Sequence, residues 1–91
     1  MDFERLLHTW HRTFGGRPVH TAALRWQACS GNEDMAGAIG DPIPSARSLG
    51  RLLAARVGES AGGLRLIRCP GRLANVALWR IEVDQPYRRS V

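Results

Sequence analysis

The stretch SARSLGRLLAARVG, residues 45–58, places three arginines on a helical repeat of leucines and closes on a glycine. Ser45 has the chemistry of an N-cap, since its hydroxyl can accept the backbone N–H of Ser48 three positions on. Leu49, Leu52, Leu53 and Val57, with Ala46, form a continuous apolar stripe at helical spacing, and Gly58 supplies the stop. Arg47, Ser48, Arg51 and Ala55 fall on the opposite side. Arg56 adjoins the apolar stripe near the helix end, where a cation favours the C-terminal dipole. Gly50, inside the helix, costs about 1 kcal/mol relative to alanine, which points to a close approach by another backbone. The helix therefore has one face for a core and one short, basic face lined by small residues.

Elements on either side set its context. In DFERLLHTWHRTFGG, Phe3, Leu6, Leu7, Trp10 and Phe14 recur at helical offsets, with Asp2 as N-cap and Gly15-Gly16 as stop. RPVH is a short extended piece suited to a sheet edge. TAALRWQACSG reads as a second helix, capped by His20 or Thr21 and ended by Gly31, with Leu24, Ala28 and either Ala23 or Trp26 inward. NEDMAGAIGDPIP is rich in Gly and Pro and reads as a long loop with one helical turn around Asp34 to Ala38. LRLIRC and ANVALWRIEV alternate with a period of two, Leu64 and Leu66 in one and Ala77, Trp79, Ile81 and Val83 in the other. PGRL joins them as a turn with Arg72 near its tip. Residues 1–84 thus form one α+β domain, a three-helix bundle with a C-terminal two- to three-stranded antiparallel hairpin, and residues 85–91 form a flexible tail.

Composition narrows the function. The 91 residues suit one small domain with a modest core. The net charge is +5, and all thirteen basic residues are arginine. Arginine's planar donor fork suits phosphate and guanine, although a GC-rich genome also explains the lack of lysine. From Ser45 to Val83, seven arginines face only Glu59 and Glu82, whereas the first 44 residues hold four arginines and five acids. Cys29 and Cys69 have no metal-binding spacing and read as reduced, mostly buried thiols. His8 and His11 lack a completing ligand, no nucleophile–base pair is visible, and neither GxGxxG nor GxxxxGK[ST] occurs. These absences argue against an enzyme, a metal or a cofactor. No apolar run approaches the roughly 20 residues of a membrane span and no signal peptide opens the chain, so a cytoplasmic setting is expected.

Helix, short strand, helix, helix and hairpin is the order of a winged-helix domain. The stretches HTWHRTFGGRPVHTAAL, SARSLGRLLAARVG and GGLRLIRCPGRLANVALWRIE resemble the small winged-helix modules of phage and plasmid replication proteins. The resemblance spans roughly residues 6–83 and implies work on DNA or at a replisome. The long loop departs from the tight turn of a simple helix-turn-helix. In this reading Arg47, Ser48 and Arg51 face the major groove of double-stranded DNA, and Arg68 and Arg72 on the hairpin reach a phosphate or the minor groove. Ser45 and Thr21, at helix starts, direct backbone N–H groups at phosphates or act as plain N-caps. The alternative is a protein-interaction module: an adaptor to replication or other nucleic-acid-processing proteins, a homodimer, or an inhibitor of a host nucleic-acid machine. Trp26, or Ile39 and Ile43 in the long loop, would be its exposed contacts.

Overall fold

The computed structural model describes residues 1–73 and 76–84, with the backbone alone for 71–73 and 76. The element order is α1 (Phe3–Phe14), β1 (Val19–His20), α2 (Thr21–Cys29), α3 (Glu33–Ile39), α4 (Ala46–Ala54), β2 (Ser60–Ala61), β3 (Leu64–Leu73) and β4 (Val76–Val83). The chain is an α+β protein in which the helices cover one side of a four-stranded antiparallel sheet ordered β1-β4-β3-β2.

α1 starts where Asp2 accepts the Arg5 N–H and ends where the Gly15 N–H returns to the His11 carbonyl. Its buried stripe is Phe3, Leu6, Leu7 and Trp10. These residues meet Leu24 of α2, Met35, Ala38 and Ile39 of α3, Leu49 and Leu53 of α4, and Leu64, Leu66, Trp79 and Ile81 of the sheet in one apolar core. Among the described residues no helix is long and apolar enough to cross a membrane.

Four differences from the sequence expectation have physical causes. First, there are four helices, because residues 33–39 form α3 rather than a single turn in a loop. Asn32 makes this possible. Its Oδ1 accepts the Met35 N–H at 3.0 Å, while its Nδ2 reaches Gln27 Oε1 at 3.3 Å and Thr13 Oγ1 at 3.5 Å. One side chain thus caps α3 and ties it to α1 and α2. Burial of Met35, Ala38 and Ile39 supplies what two turns of weak local propensity lack. Asn32→Ala is expected to cost about 1–2 kcal/mol, read as a lower melting temperature, with Asn32→Asp recovering the capping part.

Second, the sheet has four strands because both flanks of the hairpin recruit a short partner. Val19 and His20 pair with Trp79 and Leu78, and Ser60 and Ala61 pair with Arg65 and Leu64. Gly62 (φ 60) and Gly63 (φ 84) form the two-residue turn between β2 and β3, both in the left-handed region that such a turn requires. A Cβ at Gly62 would also run into the His8 imidazole of α1.

Third, α4 ends at Ala54 rather than at residue 57. The Arg56 N–H closes on the Leu53 carbonyl, tightening the last turn. Leu49 and Leu53 are buried, but Leu52 and Val57 are 44 % and 40 % exposed, so the apolar stripe is narrower than the leucine spacing suggests. Arg56 pairs with Glu59 at 3.2 Å and lies over the Phe3 ring, which locks the helix exit to α1.

Fourth, Pro70 and Gly71 are not the hairpin turn but part of β3. Between the pairs Arg68↔Trp79 and Arg72↔Ala77, β3 advances by four residues and β4 by two. This irregularity falls where Pro70 has no N–H to give the ladder. Arg72 lies opposite Ala77, one pair short of the last pair Leu73↔Val76, and so stays near the end of the hairpin. Val83, expected inward, is half exposed at the strand end, and Cys29 is exposed where burial was expected; Cys69 is buried and both thiols are free.

Candidate nucleic-acid interface

β3 alternates Leu64 and Leu66 into the core and Arg65 and Ile67 away from it, so Arg68 belongs to the inward face. Its cross-strand partner is the buried Trp79. Arg68 is exposed and sits 5.6 Å from the Trp79 ring centroid on β4. On α4, Arg47 and Arg51 stand one turn apart on the flank turned toward this end of the hairpin. Together Arg47, Gly50, Arg51 and Ala54 of α4, Thr21 of α2, and Arg68, Ala77 and Trp79 of the hairpin line an open groove of about 440 Å³.

Thr21 and Trp79 make its floor. The Trp79 indole N–H donates to Thr21 Oγ1 at 2.9 Å, and both residues are buried. The β1–α2 junction is thus held to β4 by ladder pairing and by a side-chain bond. The hydroxyl of Thr21 is engaged with Trp79, and the N-cap of α2 is His20, whose side chain makes no capping bond. This corrects the reading of Thr21 as a cap.

Ser45 is the N-cap of α4, accepting the Ser48 N–H at 3.2 Å and donating to the Ser48 hydroxyl. Ser48 is exposed but lies beside Leu52 on the other flank, outside the groove lining. The structure therefore brings together Arg47, Arg51, Arg68 and Thr21, and places Ser45 and Ser48 apart from them. The side chain of Arg72 lies outside the described residues.

The charge around the groove is one-sided. No acidic residue lines it, and none of Arg47, Arg51 or Arg68 appears in an ion pair among the described residues. By contrast Arg5 and Arg12 share Asp34, Arg56 has Glu59, and Arg65 has Asp84. Three guanidiniums around one concave, small-residue wall offer parallel donor pairs to phosphate oxygens or to guanine edges.

Gly50, Ala54, Ala77 and Trp79 were not singled out as site residues from the sequence. The small ones carry no chemistry of their own; they keep the wall low. The Gly50 position needs no close backbone, since a Cβ there would meet Thr21 Oγ1 at an ordinary 3.6 Å. Gly50→Ala is expected to raise stability by about 0.5–1 kcal/mol through helix propensity, measured by chemical denaturation. An unchanged or lower stability would show that the groove wall there is tighter than this spacing.

Among the described residues no cluster of His, Cys, Asp or Glu could hold a metal ion. Comparison with protein-family models, with curated proteins and with solved structures gave no match.

Proposed function

We propose that the chain is a winged-helix module that binds double-stranded DNA, setting α4 in the major groove and the β3–β4 hairpin against the backbone or the minor groove. Its resemblance to phage and plasmid replication modules suggests a replication or regulatory protein of a mobile element. The observation that carries the reading is the groove between α4 and the hairpin, where Arg47, Arg51 and Arg68 converge without a carboxylate. The strand order β1-β4-β3 also supports it, since the short strand after α1 joins the hairpin sheet as a wing requires. The net charge of +5 has the sign a polyanion demands.

The test is fluorescence anisotropy of a labelled duplex titrated with the chain. If three arginines each displace a counterion, affinity falls by roughly 40-fold between about 50 and about 200 mM salt. Affinity that does not respond to salt, or no binding at the lower salt, would sink the reading.

The interaction-module alternative survives in altered form. Ile39 is buried and Ile43 packs against the core, so neither offers a docking surface. Trp26, however, is 64 % exposed, and that favours a protein contact elsewhere on the molecule.

A further inference from the structure

α2 buries Thr21, Leu24 and Ala28 and turns Ala22, Ala23 and Trp26 the other way. With Phe14 from the end of α1, and His20 and Gln27 at its margins, these residues line a second open groove of about 420 Å³. It shares no residue with the arginine groove. Its wall is apolar, and Trp26 is the most exposed large apolar residue of the described chain. An indole held this far into water beside two alanine methyls and a phenyl ring is an unspent anchor site.

The surrounding charge says what fits. The Arg17 guanidinium lies 5.7 Å from the ring centroid of Phe14, one of the residues that line the groove. Arg25 precedes Trp26 on α2, and its Nε donates to the Pro44 carbonyl at 3.0 Å. Neither arginine takes part in an ion pair among the described residues, and no carboxylate lines the groove. A second copy of this chain, itself at +5, brings the wrong sign. So does the chain's own end after Asp84, QPYRRSV, with two arginines and no acid. A nucleic acid strand has the right sign but needs successive open ring faces for its bases. Here Arg17 covers Phe14, which leaves Trp26 alone.

We propose that the groove between Phe14 and Trp26 docks an acidic peptide segment of a partner protein through one bulky apolar side chain. The anchor inserts against Ala22, Ala23 and the Trp26 face, and neighbouring Asp or Glu residues meet Arg17. This inference is independent of DNA binding at the other groove.

The test is selection of a random peptide library on the intact protein, followed by titration of the enriched synthetic peptides. Trp10 and Trp79 are buried, so shielding from acrylamide quenching reports on Trp26. Enriched peptides are expected to combine acids with an aromatic or long aliphatic residue and to shield Trp26. Their affinity should fall by about tenfold or more in Trp26→Ala and in Ala22→Glu, by about threefold in Arg17→Ser, and remain unchanged in Arg47→Ala/Arg51→Ala. Ala22→Glu tests the site with the indole intact, should Trp26→Ala disturb α2. No enrichment, enrichment without acids, or binding that survives both groove variants would overturn the proposal. So would stronger shielding of Trp26 by oligothymidylate than by the peptides, which would assign the surface to single-stranded nucleic acid.

Discussion

Replacing Arg47 and Arg51 together with alanine is expected to weaken duplex DNA binding by at least roughly 30-fold, since each specific arginine contact contributes about 1–3 kcal/mol. Both side chains are exposed on α4 and neither holds a carboxylate among the described residues, so the fold should be untouched. An unchanged circular dichroism melt would establish that. The manner of the loss separates two roles. An arginine on a phosphate weakens all sequences alike and flattens the salt dependence, by about 0.9 in the log–log slope per contact. An arginine on a guanine leaves most of that slope and relaxes preference at one base pair. Arg68→Ala, on the hairpin, is expected to behave in the first way. Arg12→Ala, away from the groove and paired with Asp34, serves as the control and should change affinity less than about twofold. Wild-type binding by the double variant would remove α4 as the contact surface.

The largest effect on stability should come from Trp79. Truncating a buried aromatic costs about 3–5 kcal/mol, and here it also strips the floor from the arginine groove. In a domain of this size each kcal/mol shifts the melting temperature by about 4–8 °C, so Trp79→Ala should melt more than about 12 °C lower. Trp79→Phe keeps one aromatic ring there but removes both the bond to Thr21 and part of the buried indole volume. It should cost less than Trp79→Ala, about 1–3 kcal/mol, from the hydroxyl left with one partner fewer and the space left by the smaller ring. Equal losses in the two variants would mean that the hydrogen bond, rather than ring packing, holds the β1–α2 junction to the sheet.

What the sequence made legible follows from where the information sits. α1 could be read because its cap, stripe and stop are all local: Asp2, the Phe3–Leu6–Leu7–Trp10 spacing and Gly15. α3 could be read only as one turn around Asp34 to Ala38, because Gly37 and the flanking Gly40 and Pro42 speak against a longer helix. Its stability comes from Met35, Ala38 and Ile39 packing on other elements. β2 escaped notice because a two-residue strand before Gly62-Gly63 has no periodicity to detect. Val57 was placed inward because nothing before Gly58 stops α4; the exit is decided by the link of Arg56 to Glu59 and Phe3.

The arginine groove shows the same division. Arg47 and Arg51 stand out from helical spacing alone. Arg68 joins them through the phase of β3, which Leu64 and Leu66 already announce, and through its place opposite Trp79. Pro70-Gly71 has the composition of a turn but the position of a strand irregularity, although Arg72 still lies one pair from the hairpin's last pair. Thr21 was expected at a helix cap because the partner that engages its hydroxyl, Trp79, is 58 residues away.

One contact outside the groove bears on how the molecule meets a polyanion at all. Asp34 binds Arg5 at 3.2 Å and Arg12 at 3.1 Å, holding two exposed cations of α1 against α3. That carboxylate offsets charge on the α1 side, while Arg47 and Arg51 of α4 and Arg68 of β3 have no ion pair among the described residues. If the groove takes DNA as proposed, the encounter is biased before any contact forms, since a polyanion at a distance pulls on the uncompensated side more strongly and turns the chain groove-first. In Asp34→Asn that asymmetry goes. Total attraction rises, but more collisions arrive with α1 leading, and a tighter non-specific hold accompanies a smaller fraction of productive docking.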